Sequence, residues 1–91
     1  MQHYTVYAWS KCPFCAKAKA LLLEKGFEFQ YIVLDHAPNL LSNYKSTYNM
    51  KTVPIIVYKD EGLQIEETIG GYTDLVEYFS KEIEKDSGDD D

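Results

Sequence analysis

Ninety-one residues with 45% apolar side chains and eight tyrosines describe one small globular domain, not a disordered chain. The formal charge of -6, the lack of a basic stripe and the use of lysine for every positive residue exclude a nucleic-acid-binding role. No run of about 18 apolar residues offers a membrane-spanning helix, and Met1-Gln2-His3-Tyr4 does not read as a secretory signal, so the expected location is the cytoplasm.

In chain order, His3 to Trp9 is rich in β-branched and aromatic residues and predicts a strand. Ser10 and Lys11 form a short loop. Pro13 suits a first helical turn, where its missing N–H has no partner to lose. Phe14 to Lys25 is rich in alanine, leucine and lysine and predicts a helix, which Gly26 stops. Phe27 to Leu34 is a second aromatic and apolar run, hence a strand. A strand, a helix and a strand this close together form a parallel βαβ unit. Pro38 opens a second helix through Tyr48, with Leu40, Leu41 and Tyr44 on one face.

Val53 to Tyr58 predicts a third strand, and Lys59-Asp60-Glu61-Gly62 a turn that returns Leu63 to Thr68 as its hairpin partner. Gly70-Gly71 breaks the chain. Thr73 or Asp74 then caps a last helix with Leu75, Val76, Phe79 and Ile83 facing inward. Asp86 to Asp91 lacks apolar residues and is expected to be a disordered acidic tail, leaving residues 1–85 as the domain. The order β-α-β-α-β-β-α is that of the thioredoxin fold, an α/β fold with a four-stranded mixed sheet flanked by three helices.

The chemistry concentrates at Cys12-Pro13-Phe14-Cys15, which holds both cysteines of the chain and lies at a strand-to-helix junction. That placement reads as a thiol–disulfide redox site. A cysteine at a helix start faces unpaired N–H groups and the positive end of the helix dipole. Both favour the thiolate, the nucleophilic form, and nearby Lys11 adds to them. Cys12 is the candidate nucleophile, and Cys15, one turn on, the resolving thiol. A purely structural staple would constrain little, because the bridge closes so short a loop. A zinc site would need about four ligands, and neither His3 nor His36 has ligand spacing to the pair. Residues 1–27 hold four lysines against Glu24 alone, so the cysteine end is basic and favours small anionic thiols, whereas Lys17, Lys19 and Lys25 also read as solvated helix positions.

Three separated motifs make the chain, over residues 3–85, resemble the glutaredoxins: Cys12-Pro13-Phe14-Cys15, Thr52-Val53-Pro54, and Gly70-Gly71-Tyr72-Thr73-Asp74. The resemblance implies a glutathione-dependent thiol–disulfide oxidoreductase, monomeric, with glutathione as reducing co-substrate and no metal. It implies a cis Pro54, which leaves the Val53 backbone free to pair with the cysteinyl part of glutathione as an added strand would. Gly70 and Gly71 then let the backbone approach the ligand. Thr73 and Asp74 hold the γ-glutamyl end at the helix start, where Asp74 and Glu77 also fit a capping box. Lys51 is the first candidate for the glycyl carboxylate and Lys11 the second. Phe14 stands where tyrosine is common, and Tyr72 lies beside the site.

The chain departs from the common pattern at Trp9, where many glutaredoxins carry a basic residue. Trp9 is either an exposed contact for a protein partner or packing at the strand end. Clients are disulfide-bearing proteins, ribonucleotide reductase being one for many family members. The alternatives are a small redoxin recharged by thioredoxin reductase, although Trp-Cys-Gly-Pro-Cys is absent, and a non-catalytic iron–sulfur module, whose family representatives usually lack Pro13 or Cys15.

Overall fold

A computed structural model describes the backbone of residues 2–88 and the side chains of residues 3–80. Seven elements follow one another: β1 (Gln2–Ala8), α1 (Pro13–Lys25), β2 (Phe29–Val33), α2 (Pro38–Thr47), β3 (Ile55–Asp60), β4 (Ile65–Gly70) and α3 (Tyr72–Gly88). The sheet order is β2-β1-β3-β4, with β1 parallel to β2 and antiparallel to β3, and β3 antiparallel to β4. This is the expected thioredoxin-type arrangement.

The central strands are apolar almost without a break because both faces of the sheet are covered. Tyr4, Val6 and Ala8 of β1 point to one face and pack with Cys15, Ala18 and Leu22 of α1, Ile56 of β3, and Leu75 and Phe79 of α3. Tyr7 points to the other face and joins Leu34, Leu41, Ile55 and Val57. The period of two along β1 and β3 thus splits one apolar run between two layers. Leu22 and Leu75 are fully buried, each stabilising the fold by about 1.5–3 kcal/mol. They lock α1 and α3 against the same face, and because β4 runs parallel to β1 the two helices, which follow those strands, start at the same end of the sheet.

Several boundaries move from those expected, each for a local reason. β1 ends at Ala8, and Trp9 lies just beyond it, 44% exposed. β2 starts at Phe29 because Gly26 and Phe27 finish α1 instead. Gly26 is left-handed (φ 76°) and donates to Leu23 O, while Phe27 N–H donates to Leu22 O at 3.2 Å. That pair of bonds is a Schellman cap, and Phe27 then stacks on Phe79 with ring centres 5.3 Å apart.

The hairpin sits two residues further along than expected. Asp60 is still in β3, and its carboxylate accepts from Leu63 N–H at 3.3 Å, so the turn is Glu61 to Gln64. Gln64, not Gly62, takes the left-handed conformation (φ 54°). In α2 only Leu41 is buried, and Leu40 is 43% exposed. In α3, Leu75 and Phe79 face inward but Val76 is 37% exposed; the expectation for Ile83 lies outside the described side chains. α3 runs through Gly88, so it takes in residues 86–88 of the expected tail, and residues 89–91 lie outside the described ones.

Candidate active site

Cys12 is the N-cap residue of α1, with extended backbone (φ -104°, ψ 108°), and Pro13 takes the first helical position. A proline there locks the helical φ without losing a hydrogen bond. Cys12 and Cys15 form a disulfide across a Cα–Cα distance of 5.2 Å. The Cys15 backbone N–H donates to Cys12 Sγ at 3.1 Å. Sulfur therefore does the capping that a serine or aspartate oxygen usually does. On reduction, the same N–H and the helix dipole meet whatever charge develops on Cys12. The two sulfurs differ in access: Cys15 is fully buried, whereas Cys12 is only partly so.

The Thr52-Val53-Pro54 loop lies against this cap. The Val53–Pro54 peptide is cis, as the resemblance implied. The Val53 carbonyl oxygen is 3.9 Å from Cys12 Sγ. Pro54 is buried, Val53 is partly buried, and Thr52 and Lys51 are exposed.

The third motif is built differently from the expected cap. The N-cap of α3 is Gly71, whose carbonyl accepts from Leu75 N–H at 3.0 Å. Asp74 is the third helical residue and reaches back: its Oδ2 accepts from Gly71 N–H at 2.8 Å. That is the reciprocal half of a capping box, and it replaces both a cap at Thr73 or Asp74 and the Asp74–Glu77 box. Gly70 is required by this arrangement. Its φ is 121°, and a Cβ there would land on the Asp74 carboxylate. Gly70 thus serves the contact with Asp74, and Gly71, where a Cβ would stay 3.8 Å from the nearest atom, is the glycine that faces the cleft.

Between these parts runs a groove of about 220 Å³. Thr52, Val53 and Pro54 line one side, and Gly71, Tyr72, Thr73 and Asp74 the other. Phe14 closes it next to the cysteines, with its ring 6.1 Å from that of Tyr72. Lys17 is exposed, with its Nζ 5.2 Å from the Phe14 ring centre. Met50 also lines the groove, a residue the sequence reading missed. Its position just before Lys51-Thr52 was the available signal. Lys11 and Lys51 are exposed and are not among the lining residues. A larger hollow of about 390 Å³ lies at the opposite end of β3, around Lys59 and Glu66, away from the sulfurs.

The loop before Cys12 is anchored from outside. The Asp35 carboxylate accepts from both Ser10 N–H, at 2.9 Å, and Ser10 Oγ. The Ser10 hydroxyl, then its N–H, hold the Asp35 carboxyl below the usual carboxylate range. His3 pairs with Glu61 at 3.9 Å at the far end of the sheet. Among the described residues, no three His, Cys, Asp or Glu side chains gather as metal ligands.

A family-wide sequence model described as Glutaredoxin matches residues 4–63. The chain belongs to the glutaredoxin family. A glutaredoxin from Pseudomonas aeruginosa is 37% identical over 76 residues, covering 82% of each chain. A hybrid peroxiredoxin from Haemophilus influenzae is 36% identical over 76 residues, covering 84% of this chain but only 29% of that protein. The crystal structure of glutaredoxin 1 from Francisella tularensis complexed with cacodylate superposes with a TM-score of 0.68 at 22% identity, over 92% of this chain and 99% of that one, and shows the shared fold. Glutaredoxins are thiol–disulfide oxidoreductases that use glutathione as a reductant, and the Cys12–Cys15 pair of this chain fits their Cys-x-x-Cys motif. The family match ends at Leu63, before the Gly70–Asp74 segment.

Proposed function

We propose that this glutaredoxin reduces glutathione mixed disulfides and protein disulfides, with glutathione as its own reductant. The observation that carries the reading is the groove. It joins the partly exposed Cys12 cap to the Val53 backbone and to the start of α3, so a short peptide thiol lying in it would bring sulfur to sulfur. Val53 would pair with the cysteinyl backbone. Thr73 and the free N–H groups of α3 would take the γ-glutamyl carboxylate, and Asp74 the α-ammonium group. The glycyl carboxylate would fall to Lys51 or Lys11.

In the first step the Cys12 thiolate attacks the glutathione sulfur of a mixed disulfide. A Cys12–glutathione disulfide forms, and the client leaves as thiolate and takes up a proton. A second glutathione thiolate attacks that adduct, releasing glutathione disulfide and restoring Cys12. With a protein disulfide, Cys12 first bonds to the client. The buried Cys15 thiolate then attacks Cys12 Sγ, the client leaves as a dithiol, and the Cys12–Cys15 disulfide remains. Two glutathiones supply the two electrons that reopen it. The likeness to part of a hybrid peroxiredoxin supports testing a peroxiredoxin among the clients.

The test is turnover of a glutathione mixed disulfide, with the protein recharged either by glutathione and glutathione reductase or by thioredoxin reductase. Turnover with glutathione is expected. Turnover only with thioredoxin reductase would leave the disulfide centre in place but refute use of the groove for glutathione.

A further inference from the structure

We propose that Asp35 is a positioning residue for the redox centre, its carboxylate holding Ser10 and thereby fixing the loop that delivers Cys12 to the start of α1. The parallel pairing of β1 with β2 sets Ala8 opposite Val33, and Leu34 N–H extends the ladder to Ala8 O at 2.9 Å. The residues after β1 therefore run beside the residues after β2. Ser10 meets Asp35 there, 25 positions away in sequence.

Both carboxylate oxygens are used, one on the Ser10 N–H and one on its hydroxyl. Two bonds from one planar group fix orientation as well as distance. Cys12 N–H donates to Trp9 O at 3.4 Å, closing the turn on the other side of Ser10. Between these anchors the loop is only Trp9-Ser10-Lys11, all exposed. Placement of Cys12 Sγ against the Cys15 N–H and the Val53 carbonyl thus depends on a clamp borne by the turn after β2, a segment that contributes nothing to the groove. Misplacement of a reacting group by about 1 Å can cost a hundredfold in rate, so a loosened loop is expected to show in turnover before it shows in folding.

The inference rests on the disulfide oxidoreductase activity and not on the choice of glutathione. The experiment therefore follows reduction of a protein disulfide with dithiothreitol as reductant, using the full chain, and titrates the Cys12 thiolate by its ultraviolet absorbance. D35A is expected to lower kcat about tenfold or more with little change in KM, and to shift the Cys12 titration. S10A keeps the backbone bond and should fall in the same direction by less. D35N keeps an acceptor and an amide that can donate to the serine hydroxyl, and should recover most of the rate. The S10A/D35A double variant should be no slower than D35A, since both remove one clamp. Wild-type kcat and an unmoved Cys12 titration in D35A would overturn the proposal. So would equal losses in D35A and D35N with S10A unaffected, which would point to the charge alone. If D35A fails to fold, S10A decides: a wild-type rate and titration there overturn the proposal as well.

Discussion

The two helices that begin at the site, α1 and α3, treat their unpaired N–H groups in different ways. At α1 the cap is Cys12 sulfur, an atom that changes charge and bonding in the proposed reaction. At α3 the cap is closed by Asp74, a side-chain carboxylate that stays in place and holds Gly71 N–H. A helix start stabilises whichever anion sits at it. In the proposed reaction that stabilisation acts on the nucleophile at α1, while at α3 it holds the rim of the groove and would leave neighbouring N–H groups for a ligand. One physical feature, used twice on the same side of the sheet, serves chemistry in one place and shape in the other.

The largest expected effect comes from removing the reacting cap. Cys12→Ser keeps an oxygen cap for α1, so the fold should survive while reduction of both mixed disulfides and protein disulfides is abolished; a serine variant with residual turnover would move the nucleophile elsewhere. Cys15→Ser separates the two routes. It should retain deglutathionylation and lose dithiol reduction, and equal loss in both assays would contradict the division between exposed and buried sulfur.

Changes at α3 should be milder and should divide between stability and binding. Gly70→Ala forces a Cβ onto the Asp74 carboxylate at a φ that favours glycine. A loss of about 1–3 kcal/mol in chemical denaturation is expected, together with a raised KM. Asp74→Asn keeps an acceptor for Gly71 N–H while removing the charge. Stability should change by less than in Gly70→Ala, and the KM for glutathione mixed disulfides should rise. If KM stayed at the wild-type value, Asp74 would be a cap and nothing more.

The smallest effect is expected on the other face of the sheet from α1 and α3. Tyr7 stacks on Tyr44 with ring centres 4.1 Å apart, and burial, then a hydrogen bond with Tyr48, pushes its phenol up to about 12 from 10.0. A raised folded-state value favours folding below the unfolded pKa of 10.0, and that contribution is lost as pH rises towards about 12. Tyr7→Phe should flatten this alkaline loss and cost about 0.5–1.5 kcal/mol at neutral pH. Denaturation curves against pH check both, and an unchanged alkaline limb would show that another group titrates there.

The parts of this molecule most legible in the sequence are those with strong local punctuation. Pro13 and Gly26 bracket α1 because each suits one end of a helix, and the three motifs name eight of the residues that line the groove. Features made by a side chain bonding to the backbone three residues away were not legible. Asp60 bonding to Leu63 N–H moves the hairpin by two residues, although Lys59-Asp60-Glu61-Gly62 has the composition of a turn. Asp74 bonding to Gly71 N–H moves the helix cap. Contacts set by strand register were equally hidden. Ser10 and Asp35 meet only because β1 and β2 are parallel and aligned.

The most direct test of the account traps the Cys12–glutathione disulfide in the Cys15→Ser variant and maps its backbone amides by NMR against the reduced protein. The expected result is a continuous set of shifted amides over Thr52, Val53 and Gly71 to Asp74, with the Lys59–Glu66 hairpin unmoved. Shifts confined to Cys12 and its chain neighbours would mean that glutathione hangs from the sulfur without occupying the groove, and would contradict the account.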